Sequence, residues 1–258
     1  MHSVHPIVEA DVRRGWDEFV AHQRNSSGVI GNESNGGVRL DALVCNAGGL
    51  DNELTVSKEG VEVTFAAHLL FGTYLLGKLA LPILKTTPSS RLVVVSSGGM
   101  YNTRFPKWER ATSTGGDTYD GQLAYAFCKR GQVLLCEKWA EEHPDVSIVS
   151  CHPGWVDTAG VQAAYGDSKK WLAPLRNMWE GVEGIIWLAV APTSELCSGE
   201  YYLDRVPCVK HIAGPFFTEG SYTKNTPAQV NDMMRNLELW SDKATRPNIA
   251  PRSGGGEK

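Results

Sequence analysis

The chain has 258 residues, of which 42% are hydrophobic and 21% are charged. That composition supplies one sizeable buried core and argues against a chain that is mostly disordered. Lys and Arg together number 25 against 29 Asp and Glu, which gives a net charge of −4. A charge of this sign offers no general attraction to nucleic acids or to an acidic membrane surface, so neither is an expected partner.

Six cysteines are spread along the chain without any CxxC pair. This spacing indicates neither a disulfide scaffold nor a cysteine-rich zinc site, so we expect no bound metal and a reducing, cytoplasmic location. The first residues contain no apolar segment of the kind found in secretory signals. The longest apolar stretch, residues 65–84, includes His68 and Lys78 and is therefore predicted to be a buried helix and not a membrane span.

Helical and extended patterns alternate from the start of the chain. A short strand is predicted at residues 4–8, and after Asp11 an apolar stripe that includes Val12 and Trp16 predicts a helix. Residues 24–40 are rich in Asn, Ser and Gly, which predicts a surface insertion.

The same alternation continues to the last helix. Strands are predicted at residues 41–46, 91–96, 146–151 and 199–203, and helices at residues 57–85, 121–143 and 180–191. A last helix is predicted after Thr226, with Pro227 at its first position. Residues 1–243 are expected to form one domain and residues 244–258 a disordered tail. Since the strands are apolar on both faces, the pattern predicts a doubly wound α/β fold, in which helices cover a parallel sheet.

Ligands bind at the carboxyl ends of strands in open parallel sheets, so the residues that follow each strand are the candidates for a site. Four segments stand out: Asn46-Ala47-Gly48, Ser96-Ser97-Gly98-Gly99, the segment from Tyr125 to Lys129, and His152-Pro153-Gly154-Trp155-Val156-Asp157-Thr158. In this order they resemble the short-chain dehydrogenase/reductase family, which has a Rossmann-type fold, and within it most closely the family member 12 group. The resemblance covers about residues 4–212.

The resemblance implies that Ser97, Tyr125 and Lys129 are the catalytic residues. Strand alternation ends at Ser96, so Ser97 begins the loop that faces the site, where its hydroxyl would orient the substrate oxygen. Tyr125 would exchange a proton with that oxygen, and the Lys129 ammonium, one helical turn away, would favour the ionised phenol. Without the other motifs, the serine pair would indicate only a turn, and the Tyr and Lys only an exposed helix.

The pattern Tyr-x-x-x-Lys occurs three times, so two of the occurrences are incidental. Tyr74 with Lys78 lies midway along the long apolar helix, and Tyr165 with Lys169 lies in a polar loop. Only the pair formed by Tyr125 follows the strand that ends at Ser97, as the family pattern requires.

The family resemblance also implies NAD or NADP as cofactor. Asp11 resembles the acidic residue near the adenine ring, and the segment at Asn46, Ala47 and Gly48 would let the cofactor approach the backbone closely. A glycine at a strand end also arises for conformational reasons alone, so this segment by itself does not decide between the two interpretations. The turn at Pro153, Gly154 and Thr158 would lie beside the nicotinamide, and Tyr125, Lys129 and Val156 are also expected to bind the cofactor. His152 and Trp155 are expected to serve in packing.

One departure from the family pattern is the missing glycine turn. Family members open with a strand, a Thr-Gly-x-x-x-Gly-x-Gly turn and a helix, and this sequence contains no such segment. The turn holds the pyrophosphate of the dinucleotide, so its absence removes the main anchor. It also leaves a central strand with an exposed apolar edge, which predicts self-association or oligomers. We expect the chain to begin at an internal methionine of a longer reading frame.

A second departure lies in the long helix, at the position where the family has an Asn that helps connect the Lys to solvent. Counting from Phe65 places His68 at that position, whereas counting back from Tyr74 places Leu69 there. A histidine could carry protons, since its unperturbed pKa is about 6.5, but a leucine could not. A purely structural histidine is an equally good interpretation.

The sequence therefore predicts an NAD(P)-dependent oxidoreductase that interconverts a carbonyl and an alcohol on a fairly apolar small molecule. The alternative is a catalytically silent member of the fold that acts as a binding or scaffold protein, or a truncated chain that binds no cofactor. The substrate, the reaction direction and the choice between NAD and NADP stay open, because the strand that reads the ribose is not in the sequence.

Overall fold

Helices cover both faces of a five-stranded sheet in the computed structural model of the chain, which describes residues 7–27, 37–115, 118–216 and 218–247. The strands are β1 (Ala42–Cys45), β2 (Arg91–Val95), β3 (Ser147–Cys151), β4 (Tyr201–Leu203) and β5 (Val206–Cys208). The helices are α1 (Glu9–Ser27), α2 (Val63–Thr86), α3 (Trp108–Ala111), α4 (Gly121–Glu142), α5 (Ala159–Tyr165), α6 (Met178–Val190) and α7 (Pro227–Trp240).

The strands lie in the order β1-β2-β3-β4-β5, and the first four are parallel. This confirms the predicted α/β fold with a parallel sheet. The fifth strand is antiparallel to β4 and was not predicted. It follows a tight turn in which Asp204 and Arg205 both have positive φ angles. Glycine usually occupies such positions and signals a hairpin in the sequence, and this turn contains none.

Alternate residues of the central strands face different helical layers. On one face, Leu92, Val94 and Ile148 belong to the main core with α2, α4 and α7. On the other face, Val93 and Val149 pack against α6. All five residues of β2 are buried, which explains why the strand is apolar on both sides.

The ends of the chain differ from the sequence predictions. Residues 7 and 8 are not in a strand, because α1 begins at Glu9, and the rest of the strand predicted at residues 4–8 lies outside the described residues. Helix α1 extends to Ser27, so the predicted insertion starts too early, and residues 28–36 are not described. Residues 244–247 are also folded, because the buried Arg246 side chain pairs with Glu9 at 2.5 Å.

Helix α2 begins at Val63 and not at residue 57, because the Glu62 carboxylate accepts hydrogen bonds from the backbone amides of Thr64 and Phe65, both at 2.7 Å. Its middle, Ala66–Leu75, has π-helical hydrogen bonding and is buried throughout. In the described part of the chain, α2 is the one helix long and apolar enough to cross a membrane. However, 78% of its most apolar window is buried within the protein, as in a core helix.

Helix α7 closes the main core, as its sequence predicts. Thr226 and Gln229 form a capping box, and Pro227 occupies the first turn. Its buried side chains Met233, Leu237 and Trp240 belong to the main core, and the Trp240 ring packs edge-on against Trp108 at 5.4 Å.

The outer edge of β1 has no covering strand in the part of the chain that the structure describes. No strand in the described residues pairs with that edge, and Val44 on β1 is 36% exposed. Helix α6 packs on the face of the sheet that carries Val93 and Val149. It exposes an apolar stripe at Met178, Trp179, Val182, Ile186 and Val190. Side chains four residues apart lie on one helix face, so these residues form a continuous apolar surface beside β1.

Candidate active site

The carboxyl ends of β1, β2 and β3 lie side by side because the three strands are parallel. Residues 46–49 follow β1 and are all exposed. Ser97 follows β2, and residues 152–158 follow β3. Three of the segments singled out in the sequence therefore meet at one edge of the sheet.

The two serines after β2 have different surroundings. Ser96 is buried, and its hydroxyl donates to the Lys129 carbonyl at 2.8 Å. Ser97 is partly exposed; its hydroxyl oxygen accepts a hydrogen bond from the Gly99 amide at 3.2 Å, and its side chain hydrogen-bonds to Tyr125. Of the two, Ser97 is thus the serine that adjoins the tyrosine.

Helix α4 carries Tyr125 and Lys129 one turn apart, and the Asp120 carboxylate caps the helix through the Leu123 amide at 3.0 Å. Lys129 is buried, and its ammonium donates to the Val95 carbonyl at 2.8 Å. The same Nζ lies 5.3 Å from the centroid of the Tyr125 ring. Serine, phenol and ammonium therefore form a contiguous cluster at the end of β2.

The acidity of the cluster differs from the sequence expectation. Burial raises the pKa of Tyr125, and the hydrogen bond from Ser97 offsets this only in part. Burial also lowers the pKa of Lys129 to about 8. The expected fall in the pKa of the phenol is not found, because burial disfavours the phenolate. The Lys129 ammonium donates to a backbone carbonyl and lies over the ring. The phenol is therefore protonated at neutral pH.

In the other two Tyr-x-x-x-Lys pairs, the lysine pairs with a carboxylate and does not lie against its tyrosine ring. Tyr74 and Lys78 both hydrogen-bond to the Glu238 carboxylate of α7, at 2.6 and 2.5 Å. Lys169 pairs with Asp157 at 2.5 Å. The Tyr165 ring packs edge-on against Trp155 at 5.6 Å, and this tyrosine is near enough to Tyr125 to raise its pKa.

Of the two residues that compete for the family's Asn position, His68 is the one beside the tyrosine. Its ring meets the Tyr125 ring edge-on at 5.1 Å between centroids. Leu69 is fully buried in the main core and points toward α4 at Gly131, where a Cβ would lie 2.6 Å from a leucine methyl. Gly48 must lack a side chain, because a Cβ there would lie 2.0 Å from Cε1 of His68.

The residues predicted to flank the nicotinamide form a well-ordered turn after β3. Gly154 has a φ of 77°, and its amide donates to Nδ1 of His152 at 2.9 Å. The Pro153 carbonyl accepts from Arg176 at 3.3 Å. Val156 is buried and forms a bridge with Arg176, and the Thr158 hydroxyl caps α5 through the Val161 amide at 3.1 Å.

The structure agrees with only one of the two packing predictions. The His152 ring stacks on Tyr201 at 5.9 Å, in agreement with a packing role. Trp155 is 43% exposed, so it is not a core residue. Asp11 lies in the first turn of α1 and pairs with Arg14 at 3.0 Å, and its predicted place near an adenine ring stays a prediction.

Two supporting contacts were missed from the sequence. Gln132 of α4 donates to the His68 carbonyl at 2.8 Å, and it lies on the face of α4 that carries Tyr125 and Lys129. Arg176 forms a bidentate ion pair with Asp204, at 2.5 and 2.6 Å, which braces the turn after β3. The seven-residue spacing from Tyr125 to Gln132 is the one signal that could have indicated the first contact. Among the described residues, no group of His, Cys, Asp and Glu side chains could hold a metal ion.

The fold and the cluster of serine, tyrosine and lysine define a short-chain dehydrogenase/reductase, and the chain belongs to that family. It is 36% identical over 205 residues to dehydrogenase/reductase SDR family member 12 of Bos taurus, and 35% identical over 206 residues to the Homo sapiens protein of that name. These matches cover 77% and 78% of the chain. The chain spans 61% of the length of both relatives.

Other similarities agree with this membership. The Streptomyces sp. (strain C5) protein DnrU, named for daunorubicin C-13 ketoreduction, is 30% identical over 203 residues, which are 76% of the chain and 67% of that protein. An uncharacterised protein from Mycobacterium paratuberculosis has the same fold, with a TM-score of 0.57 and 17% identity over 97% of this chain and 76% of that one. Ligand-free aldohexose dehydrogenase of Thermoplasma acidophilum has a TM-score of 0.53 and 16% identity over 76% and 72% of the two chains. No protein-family model matches the chain.

Proposed function

We propose that the chain is an NAD(P)-dependent oxidoreductase that interconverts a carbonyl and an alcohol on a fairly apolar small molecule. The observation that carries this proposal is the contact of Ser97 with Tyr125 above the buried Lys129 ammonium, at the carboxyl end of a parallel strand. A hydroxyl, a phenol and a fixed cation are the groups that proton transfer to a carbonyl oxygen requires.

The nicotinamide half of a dinucleotide fits the residues at this edge. Residues 46–49 are exposed and have mostly small side chains. The ring of His68 leaves no room for a side chain at Gly48. The turn at Pro153 and Gly154 is braced from behind by Arg176. The pyrophosphate half lacks its usual support, because within the described ranges β1 has no neighbouring strand, glycine turn and helix N-terminus on its open side.

The roles of the side chains follow from their positions. In reduction, the Ser97 hydroxyl would hold the carbonyl oxygen, and the protonated Tyr125 phenol would donate its proton to that oxygen. Lys129, whose pKa is about 8, is largely cationic at neutral pH and would stabilise the phenolate that remains. A bound NAD(P)H would supply the hydride.

The side chains near Tyr125 support an apolar substrate. The partly exposed Trp155 and the Tyr165 ring against it form an aromatic surface close to the phenol. Relatives whose names specify chemistry act on related groups: DnrU is named as a ketoreductase, and a Mus musculus relative, 32% identical over 177 residues, is named retinol dehydrogenase 14. We propose a cytoplasmic location for the chain as well.

The second candidate function is a catalytically silent binding or scaffold protein. The open side of β1 favours it, because among the described residues no strand, glycine turn and helix N-terminus lie there to hold a pyrophosphate. A silent protein would keep the fold and show no turnover with any dinucleotide.

The experiment that tests the proposal follows NADH and NADPH consumption with a panel of apolar ketones and aldehydes. Ser97→Ala should lower kcat/KM by about 10²-fold, because the substrate oxygen loses an oriented donor. The exposed Ser221 provides the matched control, and Ser221→Ala should behave as the wild type. Equal turnover in Ser97→Ala and the wild type contradicts the proposed site, and no turnover at any dinucleotide concentration supports the silent protein.

A further inference from the structure

His68 contacts both the tyrosine and the turn after β1. It is 4% exposed, and its Nε2 lies 2.7 Å from the Gly49 carbonyl oxygen. Its ring meets the Tyr125 ring at 87°, with 5.1 Å between the centroids. The same imidazole fills the space beside Gly48, where no Cβ could be placed. One side chain therefore connects the turn after β1, where the cofactor is predicted to approach the backbone, with the predicted proton donor.

The contact with Gly49 determines the tautomer of the imidazole. A carbonyl oxygen can only accept, so Nε2 of His68 must carry the hydrogen. Nδ1 is buried and has no hydrogen-bond partner among the described residues. A second proton on Nδ1 would place an uncompensated charge in the interior near the Lys129 ammonium, and both effects hold the pKa of His68 well below its ordinary value.

The backbone of His68 is held as firmly as its ring. Its carbonyl lies in the π-helical part of α2 and accepts hydrogen bonds from the Thr73 hydroxyl at 2.5 Å and from the Gln132 amide at 2.8 Å. Gln132 is buried and lies on α4 below Tyr125. Helix α4 therefore contacts both the backbone and the ring of the histidine, which leaves the ring little freedom to turn away from the phenol.

We propose that His68 is a positioning residue that fixes Tyr125 and the turn at Gly48 and Gly49 relative to each other, as a neutral imidazole that does not carry protons. The proposal deepens the proposed function, since it explains how the phenol and the turn after β1 keep their separation. It also decides between the two roles that the sequence leaves open for this histidine. The contacts to both sides of the site identify it, and a proton carrier would need a second polar partner at Nδ1.

The test uses His68→Gln and His68→Leu in the full chain. A glutamine amide can reach and donate to the Gly49 carbonyl but has no proton to exchange near neutral pH, whereas leucine fills the space and donates nothing. The ¹⁵N-relaxation order parameters of the backbone amides at residues 46–49, which are exposed and follow β1, should fall in His68→Leu, and His68→Gln should return them most of the way to the wild type. ¹⁵N NMR of the imidazoles, with His68 assigned by its loss in either variant, should show a neutral Nε2–H ring at pH values around about 6.5, where an ordinary histidine is half protonated.

Turnover gives a separate measure. His68→Leu should lose more kcat than His68→Gln, and the shape of the pH profile should be the same in His68→Gln and the wild type, because no titrating group has been removed. A His68 ring that gains a proton near its ordinary pKa overturns the proposal, and so do equal order parameters at residues 46–49 in both variants and the wild type. If no form of the chain turns over a substrate, the proposed function fails, while the relaxation and imidazole NMR measurements still decide the role of His68.

Discussion

The buried ammonium of Lys129 makes the stability of the fold depend on pH. Its pKa in the folded chain is about 8, whereas an unfolded lysine titrates at about 10.4. Between these values the unfolded chain binds more protons than the folded chain, so the free energy of unfolding rises with pH across this window. Below the window, at neutral pH, the folded state bears the full cost of the buried charge.

Lys129→Met should therefore stabilise the chain while it removes activity. We expect the free energy of unfolding at pH 7 to rise by about 1–3 kcal/mol, reduced by the loss of the hydrogen bond to Val95. The gain should shrink as the pH approaches about 10. Urea denaturation at several pH values measures this change in the free energy of unfolding. Lys58→Met, which changes an exposed lysine, is the control. A variant as stable as the wild type at every pH contradicts the stated cost of burial.

At the scale of single residues, the sequence indicates which groups to examine but not how they pack. The order of the motifs singles out Tyr125 among three tyrosines with the same spacing, and the structure gives Tyr74 a different partner, Glu238. The choice between His68 and Leu69 could not be made, because the two counts disagree and the π-helical bonding of α2 shifts the helix phase locally. For the Gln132 contact, the seven-residue spacing from Tyr125 indicates the helix face but not the partner, because the His68 carbonyl lies on a different helix.

Among the elements, those with strong local signals match the structure. Helix α7 has its predicted cap because the Thr226 hydroxyl accepts from the Gln229 amide, while Pro227, which has no amide hydrogen, fits the first position of the helix. The start of α2 was misplaced because a buried glutamate, Glu62, serves as the cap in place of an earlier serine. The short hairpin strand β5 escaped prediction, since only its pairing with β4 defines it.

The uncovered face beside β1 should make the chain self-associate. An unpaired edge and the apolar stripe on α6 together expose surface that a folded monomer would normally bury. Size-exclusion chromatography of freshly refolded chain should show mixed assemblies. Val190→Lys, within the stripe, should shift the distribution toward monomer, whereas Val209→Lys, at a similarly exposed valine elsewhere, should not. A single sharp monomer peak for the wild type contradicts this expectation.

For the molecule as a whole, the sequence predicted the sheet, its parallel strands and the edge at which the candidate residues meet. It did not predict the start and end of α1 or the buried ion pair of Glu9 with Arg246, because these depend on contacts between distant segments. Such pairs leave no periodic pattern in the chain. The strand proposed for residues 4–8 had only a few apolar residues to support it.

The missing glycine turn should weaken dinucleotide binding. The described residues support the nicotinamide end, but the sequence supplies no turn and helix N-terminus for the pyrophosphate. Titration calorimetry with NADH and NADPH should therefore detect weak binding or none. A dissociation constant on the order of micromolar would show that another segment holds the pyrophosphate.

The most direct test of the proposed chemistry compares two tyrosines that share the same spacing to a lysine. Tyr125→Phe keeps the ring but removes the reacting proton, so dinucleotide-dependent turnover should fall by about 10²-fold or more in any form of the chain that binds the cofactor. Tyr74→Phe loses only the hydrogen bond to Glu238 and should keep nearly full activity with a small loss of stability. Full turnover by Tyr125→Phe, or an equal loss in Tyr74→Phe, would contradict the assignment of the site.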